Sequence, residues 1–289
     1  MAIGLLGLYS LAIFGAGLLG GWLPRRFHMT HTRTQLTMSF VAGLMLGVAF
    51  FHLIPHSAMG RGADVDFAMA WVVAGLVFML LLLRLFHFHQ HDFDEAPGHC
   101  HHEHPDDHSH EAHHGHVPAP EIAYTQGGST GWLGLLLGLS IHTVVDGIAL
   151  GAVMRADPTE GAGILGIGVF LAILLHKPLD SLSIETVMSA AGLGPERRHW
   201  VNLFFAALCP LAAILFWWVA NTELTGSLLL PGALAFSAGA FICIALGDLL
   251  PEVQFHSHDR TKLTLLFLMG IVLAWTIGAI EPPHGVGHQ

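Results

Sequence analysis

Eight long apolar runs take up most of this 289-residue chain, and they constrain it more than any other feature. They lie near Ala2–Leu23, Met38–Pro55, Phe67–Phe86, Trp132–Val153, Gly161–Thr186, Trp200–Ala220, Leu230–Leu250 and Leu263–Ile280. Most are about 18–25 residues long, enough for a helix to cross a hydrocarbon layer of ~30 Å. Only 11% of the residues are charged, where a soluble domain carries about 25%. The fold expected is an all-α integral membrane protein. Eight spans leave no room for a soluble catalytic domain. A net charge of −10 with 11 Lys and Arg offers no basic face to nucleic acid. Cys100, Cys209 and Cys243 share no recognisable spacing, and two of them sit in apolar runs, which argues against a disulfide framework. Arg25 and Arg26 follow the first run instead of preceding it, so it does not read as a signal peptide. The absence of a cleavable leader fits a bacterial inner membrane, with a eukaryotic membrane as the alternative.

The basic residues set the expected topology. With eight spans both termini share one side. Arg25, Arg26, Arg33, Arg84, Arg197, Arg198, Arg260 and Lys262 all fall on the other side, and only Arg61 and Arg155 fall on the side of the termini. Positive charge marks the cytoplasmic face. Both ends are therefore expected outside, and the loop between helices three and four inside.

That loop is the one long polar segment. Between His87 and His116 it carries twelve His, Cys100 and seven carboxylates, and no Lys or Arg. Such a composition cannot bury a core and reads as disordered. Its His99, His101, His102, His104, His108, His110, His113, His114 and His116 suit collection of divalent metal. The plainer alternative is a solvated linker. The chain thus divides into helices one to three (1–86), the His-rich loop (87–131), helices four and five (132–186), and helices six to eight with a short tail (187–289).

Ionisable groups inside spans are costly and usually face a partner or a cavity. The fourth span contains His142-Thr143-Val144-Val145-Asp146 and the fifth His176-Lys177-Pro178-Leu179-Asp180. Four-residue spacing stacks each His over its Asp on one helical face. Facing one another, the two helices would present two imidazoles and two carboxylates at one depth. That N/O set suits Zn2+ and is acceptable to Fe2+, Mn2+, Co2+ or Cd2+. A single such pair would also serve as an interhelical hydrogen bond. Pro178 removes the helical partner of the Leu174 carbonyl beside these ligands.

A repeat runs through the chain. At a constant offset of 196, Ala42-Gly43, Ala49, Leu53 and Pro55 of the second span coincide with Ala238-Gly239, Ala245, Leu249 and Pro251 of the seventh. His52 falls on Asp248 and His56 on Glu252. In the expected topology the two spans run in opposite directions, as do spans four and five. The bundle is therefore expected to contain inverted repeats, helices 1–3 against 6–8, with helices four and five central. Secondary transporters are commonly built this way, with substrate held near the midplane. His52, His56, Asp248 and Glu252 lie toward the ends of their spans and read as pathway ligands.

These features resemble the ZIP (Zrt/Irt-like) family of divalent-metal transporters over essentially the whole chain. The shared pattern is eight spans with both ends outside, a His-rich third loop, and Phe51-His52-Leu53-Ile54-Pro55 closing the second span. The family's fourth helix typically reads His-Asn-x-x-Glu-Gly, matched here by His142-Thr143-Val144-Val145-Asp146-Gly147. Its fifth often reads His-Glu-x-Pro-His-Glu, matched loosely by His176-Lys177-Pro178-Leu179-Asp180. The resemblance implies a transport site between these helices, often two metal positions bridged by the carboxylates. Here Asp146 and Asp180 replace Glu, Thr143 replaces Asn, and Lys177 replaces a carboxylate that helps hold the second ion. An ammonium repels a cation and cannot ligate one. The first position, His142, Asp146, His176 and Asp180, is thus expected intact and the second lost. Lys177 would occupy it, paired with Asp146, Asp180 or Asp248, unless it snorkels along another face.

The function expected is movement of zinc or a related divalent ion into the cytoplasm by alternating access, without enzymatic activity. The partners expected are the ion and the bilayer, and a homodimer is compatible with the reading. Two alternatives are an exporter of similar architecture and an intramembrane metal-dependent hydrolase. The hydrolase would need a general base, for which Glu185 and Glu252 are the candidates.

Overall fold

The computed structural model describes residues 2–22, 31–59, 62–86, 131–156, 165–220, 228–249 and 260–280. These are helical, with no strand among the described residues. Eight helices are long and apolar enough to span a membrane. We number them α1 (Ala2–Trp22), α2 (His31–Val48, continued through Ile54–Ala58), α3 (Val65–Phe86), α4 (Gly131–Ala156), α5 (Leu165–Ala190), α6 (Pro195–Val219), α7 (Leu229–Ile244) and α8 (Arg260–Ile280). Their outer faces carry exposed Leu8, Leu11, Val73, Leu81, Leu215 and Trp275, the surface a hydrocarbon solvent requires.

Two of the helices begin five residues or more before their apolar runs. α2 starts at His31, not near Met38. Gln35 and Ser39 of this helix are buried, with Ser39 donating to the Leu263 carbonyl at 2.7 Å. α6 starts at Pro195, where a missing N–H costs a first turn nothing. The turn before it is tight. Gly192 sits at φ +75°, Leu193 N–H reaches Met188 O and Gly192 N–H reaches Ser189 O. That is the glycine-dependent cap that closes α5 and returns the chain antiparallel as α6.

The packing carries the repeat. α2 packs along α8 and α3 along α7, while α4 packs along α6 and α1 along α5. Exchanging helices 1–3 with 6–8, and α4 with α5, turns each pairing into its counterpart. The closest approaches match residue by residue. A Cβ on Gly43 would strike the Phe267 carbonyl, and one on Gly239 the Val72 carbonyl. A Cβ on Gly270 would strike the Phe40 carbonyl, and one on Gly75 the Phe236 carbonyl. Gly43 and Gly239, like Phe40 and Phe236, are separated by the offset of 196. Small residues let these backbones touch, as membrane helix interfaces need.

The repeat also extends to a distortion that hydropathy does not reveal. Ala49–Leu53 of α2 forms one turn of π-helix. A second π-turn, Ala245–Leu249, follows Ile244 of α7 at the equivalent positions. Such turns insert one extra residue and re-aim the side chains beyond them. They carry His52 and Asp248 respectively.

Candidate metal centre

α4 and α5 have the same length, and His142 and His176 stand at the same distance from their starts, near the middle of each. The helices are antiparallel neighbours, so equal positions meet at one level. His142, Asp146, His176 and Asp180 each turn one ligand atom inward, and these four atoms lie within 4.8 Å of one another. His176 Nε2 is 3.2 Å from Asp146 Oδ2 and 3.8 Å from Asp180 Oδ2. His142 Nε2 is 3.4 Å and 3.8 Å from the same oxygens. Four ligands at about 2.0–2.2 Å around a tetrahedral ion stand about 3.4 Å apart. The His–Asp spacings fit that geometry without rearrangement.

Proton positions sharpen the point. His176 Nδ1 lies 2.7 Å from the Ala172 carbonyl. A carbonyl only accepts, so Nδ1 carries the proton and Nε2 of the neutral ring presents its lone pair. That lone pair faces a carboxylate oxygen at 3.2 Å. Two acceptors so close repel unless positive charge lies between them, as a second ring proton or a cation. Asp146 is completely buried, and its Oδ1 has no hydrogen-bond partner among the described residues. His142 Nδ1 is likewise unpartnered among them. A buried carboxylate held this sparsely suits a cation and is costly without one. Asp180, 14% exposed, is the least covered of the four and marks the side of access.

Lys177 does not snorkel. It is fully buried and turned into the same cluster. Its Nζ donates to Thr143 Oγ1 at 2.5 Å and lies 3.5 Å from Asp180 Oδ2 and 3.9 Å from Asp146 Oδ2. The ammonium also sits 4.6 Å above the Phe205 ring of α6, an electrostatically favourable seat. It therefore stands beside the two carboxylate oxygens that the histidines also face. Phe205 carries no motif, and only its position opposite Lys177 marks it.

The remaining sequence candidates are not gathered here. His52 is buried on α2, with its Nε2 2.9 Å from the Ala274 carbonyl, to which it must donate. Its ring packs where Gly168 and Gly278 leave room. His56 bonds through Nδ1 to the His52 carbonyl, one turn back along the same helix. The Asp248 side chain, Glu252, Cys100 and the loop histidines His99–His116 lie outside the described residues. Glu185, one of the bases a hydrolase would require, is ion-paired to Arg198 at 3.0 Å and stands five residues beyond Asp180 on α5.

A family profile described as ZIP Zinc transporter matches residues 2–278. Zinc transporter ZIP9-B of Xenopus laevis is 26% identical over 325 aligned positions, covering 98% of this chain and 97% of that protein. Zinc transporter ZIP9 of Xenopus tropicalis is 26% identical with the same coverage. Zinc transporter GufA of Myxococcus xanthus is 29% identical over 180 positions, covering 60% of this chain and 64% of that protein.

Proposed function

The chain belongs to the ZIP zinc transporter family and is an integral membrane protein, and from that premise we propose that it carries Zn2+ into the cytoplasm through a single cage of His142, Asp146, His176 and Asp180. The observation that carries this reading is the convergence of four ligand atoms within 4.8 Å at the middle of two helices. An N/O set also accepts Fe2+, Mn2+, Co2+ and Cd2+, so preference among them rests on availability and geometry.

Lys177 defines how many ions the site holds. Its ammonium stands where a second cation bridged by Asp146 and Asp180 would stand. With both carboxylates ionised, the buried group carries one negative charge when empty and one positive charge when loaded with a divalent ion. Two ions beside Lys177 would leave three positive charges in a low dielectric, which is prohibitive.

Transport follows by alternating access. α1, α4, α5 and α6 pack on one another, as α2 packs on α8 and α3 on α7. We assign the first group to a block that moves with the cage and the second to a frame. The eight-to-two bias of basic residues orients the bundle with both ends outside. It leaves the His-rich loop inside, where its imidazoles receive the released ion.

The test is Zn2+ flux into proteoliposomes for the wild type, His176→Ala and Asp180→Ala. The proposal expects flux in the wild type and its loss in both variants. Equal flux in all three would refute the assignment.

A further inference from the structure

α5 and α6 bury a second polar group that the cage does not use. Along α5 beyond Asp180, Ser181 is fully buried and Glu185 is 2% exposed. Across from them on α6, Arg198 Nη1 donates to Glu185 Oε1 at 3.0 Å. One turn further on α6, Asn202 is 6% exposed. Its Oδ1 has no hydrogen-bond partner among the described residues, and neither has Ser181 Oγ. Glu185 and Asn202 line a cavity of about 460 Å³, with Gly21, Trp22 and His199. The opposite wall is α1, whose Gly17 and Gly21 lie against Ser181 and Asn202.

A structural clamp is the plainer account of Glu185–Arg198. It explains the ion pair but leaves the rest. A buried pair returns little net stability after desolvation. A clamp would also have no use for an unpartnered amide oxygen beside a cavity. The residues form a polar line that starts at the cage, passes Ser181, and reaches Glu185 and Asn202 near the end of α5. In the orientation proposed above that end is cytoplasmic.

We propose that Glu185 and Asn202 form a second station for the divalent cation, between the cage and the cytoplasmic end of α5, which Arg198 holds shut. The guanidinium and the metal ion compete for the same carboxylate. When an ion moves down from Asp180, Glu185 exchanges Arg198 for the ion, and the Asn202 oxygen supplies a further ligand. Return of Arg198 to Glu185 expels the ion and closes the path behind it. The station rests on the transport reading for its role, but its capacity to bind metal stands independently.

The test counts Zn2+ per chain by equilibrium dialysis of the full-length purified protein at fixed free Zn2+. It is done in a His176→Ala/Asp180→Ala background, which removes the cage. Adding Arg198→Gln should raise the count by one ion, and adding Glu185→Gln as well should remove that ion. The loop histidines contribute equally to all forms and cancel. Equal counts with and without Glu185 would overturn the station. Because the cage is absent, this result is independent of whether the wild type transports zinc. A second measurement covers failure of Arg198→Gln to fold. In proteoliposomes, Asn202→Leu should lose most Zn2+ flux with an unchanged ion count, and Asn202→Asp, which keeps the oxygen, should restore it. Wild-type flux in Asn202→Leu, or equal losses in both, would contradict the proposal.

Discussion

His176 donates its Nδ1–H to the Ala172 carbonyl and thereby points an Nε2 lone pair at Asp146 Oδ2, 3.2 Å away. The backbone of α5 thus fixes which nitrogen is available, as in metal-binding histidines generally. Asp146 is in turn fully buried. Replacing it with Asn keeps the volume and removes the charge. Loss of an outer-shell partner typically costs about 10–100-fold in metal affinity, so loss of this ligand should cost at least ~100-fold. Isothermal titration of Asp146→Asn with Zn2+ measures it, and wild-type affinity would refute the assignment.

Lys177 should set the stoichiometry of the cage. Lys177→Glu replaces an ammonium beside Asp146 and Asp180 with a further ligand. It should bind one more divalent ion than the wild type when metal per chain is counted. Lys177→Met should bind no extra ion but hold the first more tightly, because a repelling charge is gone.

Thr143 should matter through Lys177, whose ammonium it accepts at 2.5 Å. Thr143→Val leaves a buried charge short of one acceptor. A loss of about 1–3 kcal/mol in stability is expected, read as a lower thermal midpoint in detergent. The loss should largely vanish in a Lys177→Met background, where no ammonium needs the hydroxyl.

The paired glycines predict a matched effect. Gly43→Ala and Gly239→Ala each drive a methyl into a backbone carbonyl of a neighbouring helix. Overpacking of this kind costs about 1–3 kcal/mol, and the repeat predicts similar losses at the two sites. Gly7→Ala, where nothing lies within 4 Å, should be neutral or slightly stabilising. Thermal melts of the three variants test this.

Orientation can be read from the cysteines. Cys209 and Cys243 are buried, and Cys100 is the third of the chain's three. A membrane-impermeant maleimide should label Cys100 in inside-out vesicles and not in right-side-out ones. The opposite pattern would invert the topology.

Much of this was legible in the sequence, for identifiable reasons. Span number followed from run length, because a hydrocarbon layer tolerates few other solutions. The His-x-x-x-Asp pairs could be read because four-residue spacing has one meaning on a helix. The starts of α2 and α6 could not. Gln35 is polar by composition but buried, and Pro195 opens a helix that hydropathy places later. His52 looked like a pathway ligand, yet its Nε2 donates to a carbonyl, a use that depends on where α8 lies. Phe205, Ser181 and Asn202 have no motif. Their roles arise from what α5 and α6 place opposite them, and one polar residue in an apolar run was the only hint of Asn202. The twin π-turns were invisible because an extra residue per turn leaves hydropathy unchanged.

The cage itself is tested most directly by locating the metal. Anomalous diffraction at the zinc edge from Zn2+-loaded crystals should place one ion within about 2.0–2.2 Å of an Nε2 of His142 and of His176 and of an oxygen of Asp146 and of Asp180. Zinc confined to the His99–His116 loop, with nothing between α4 and α5, would contradict the account.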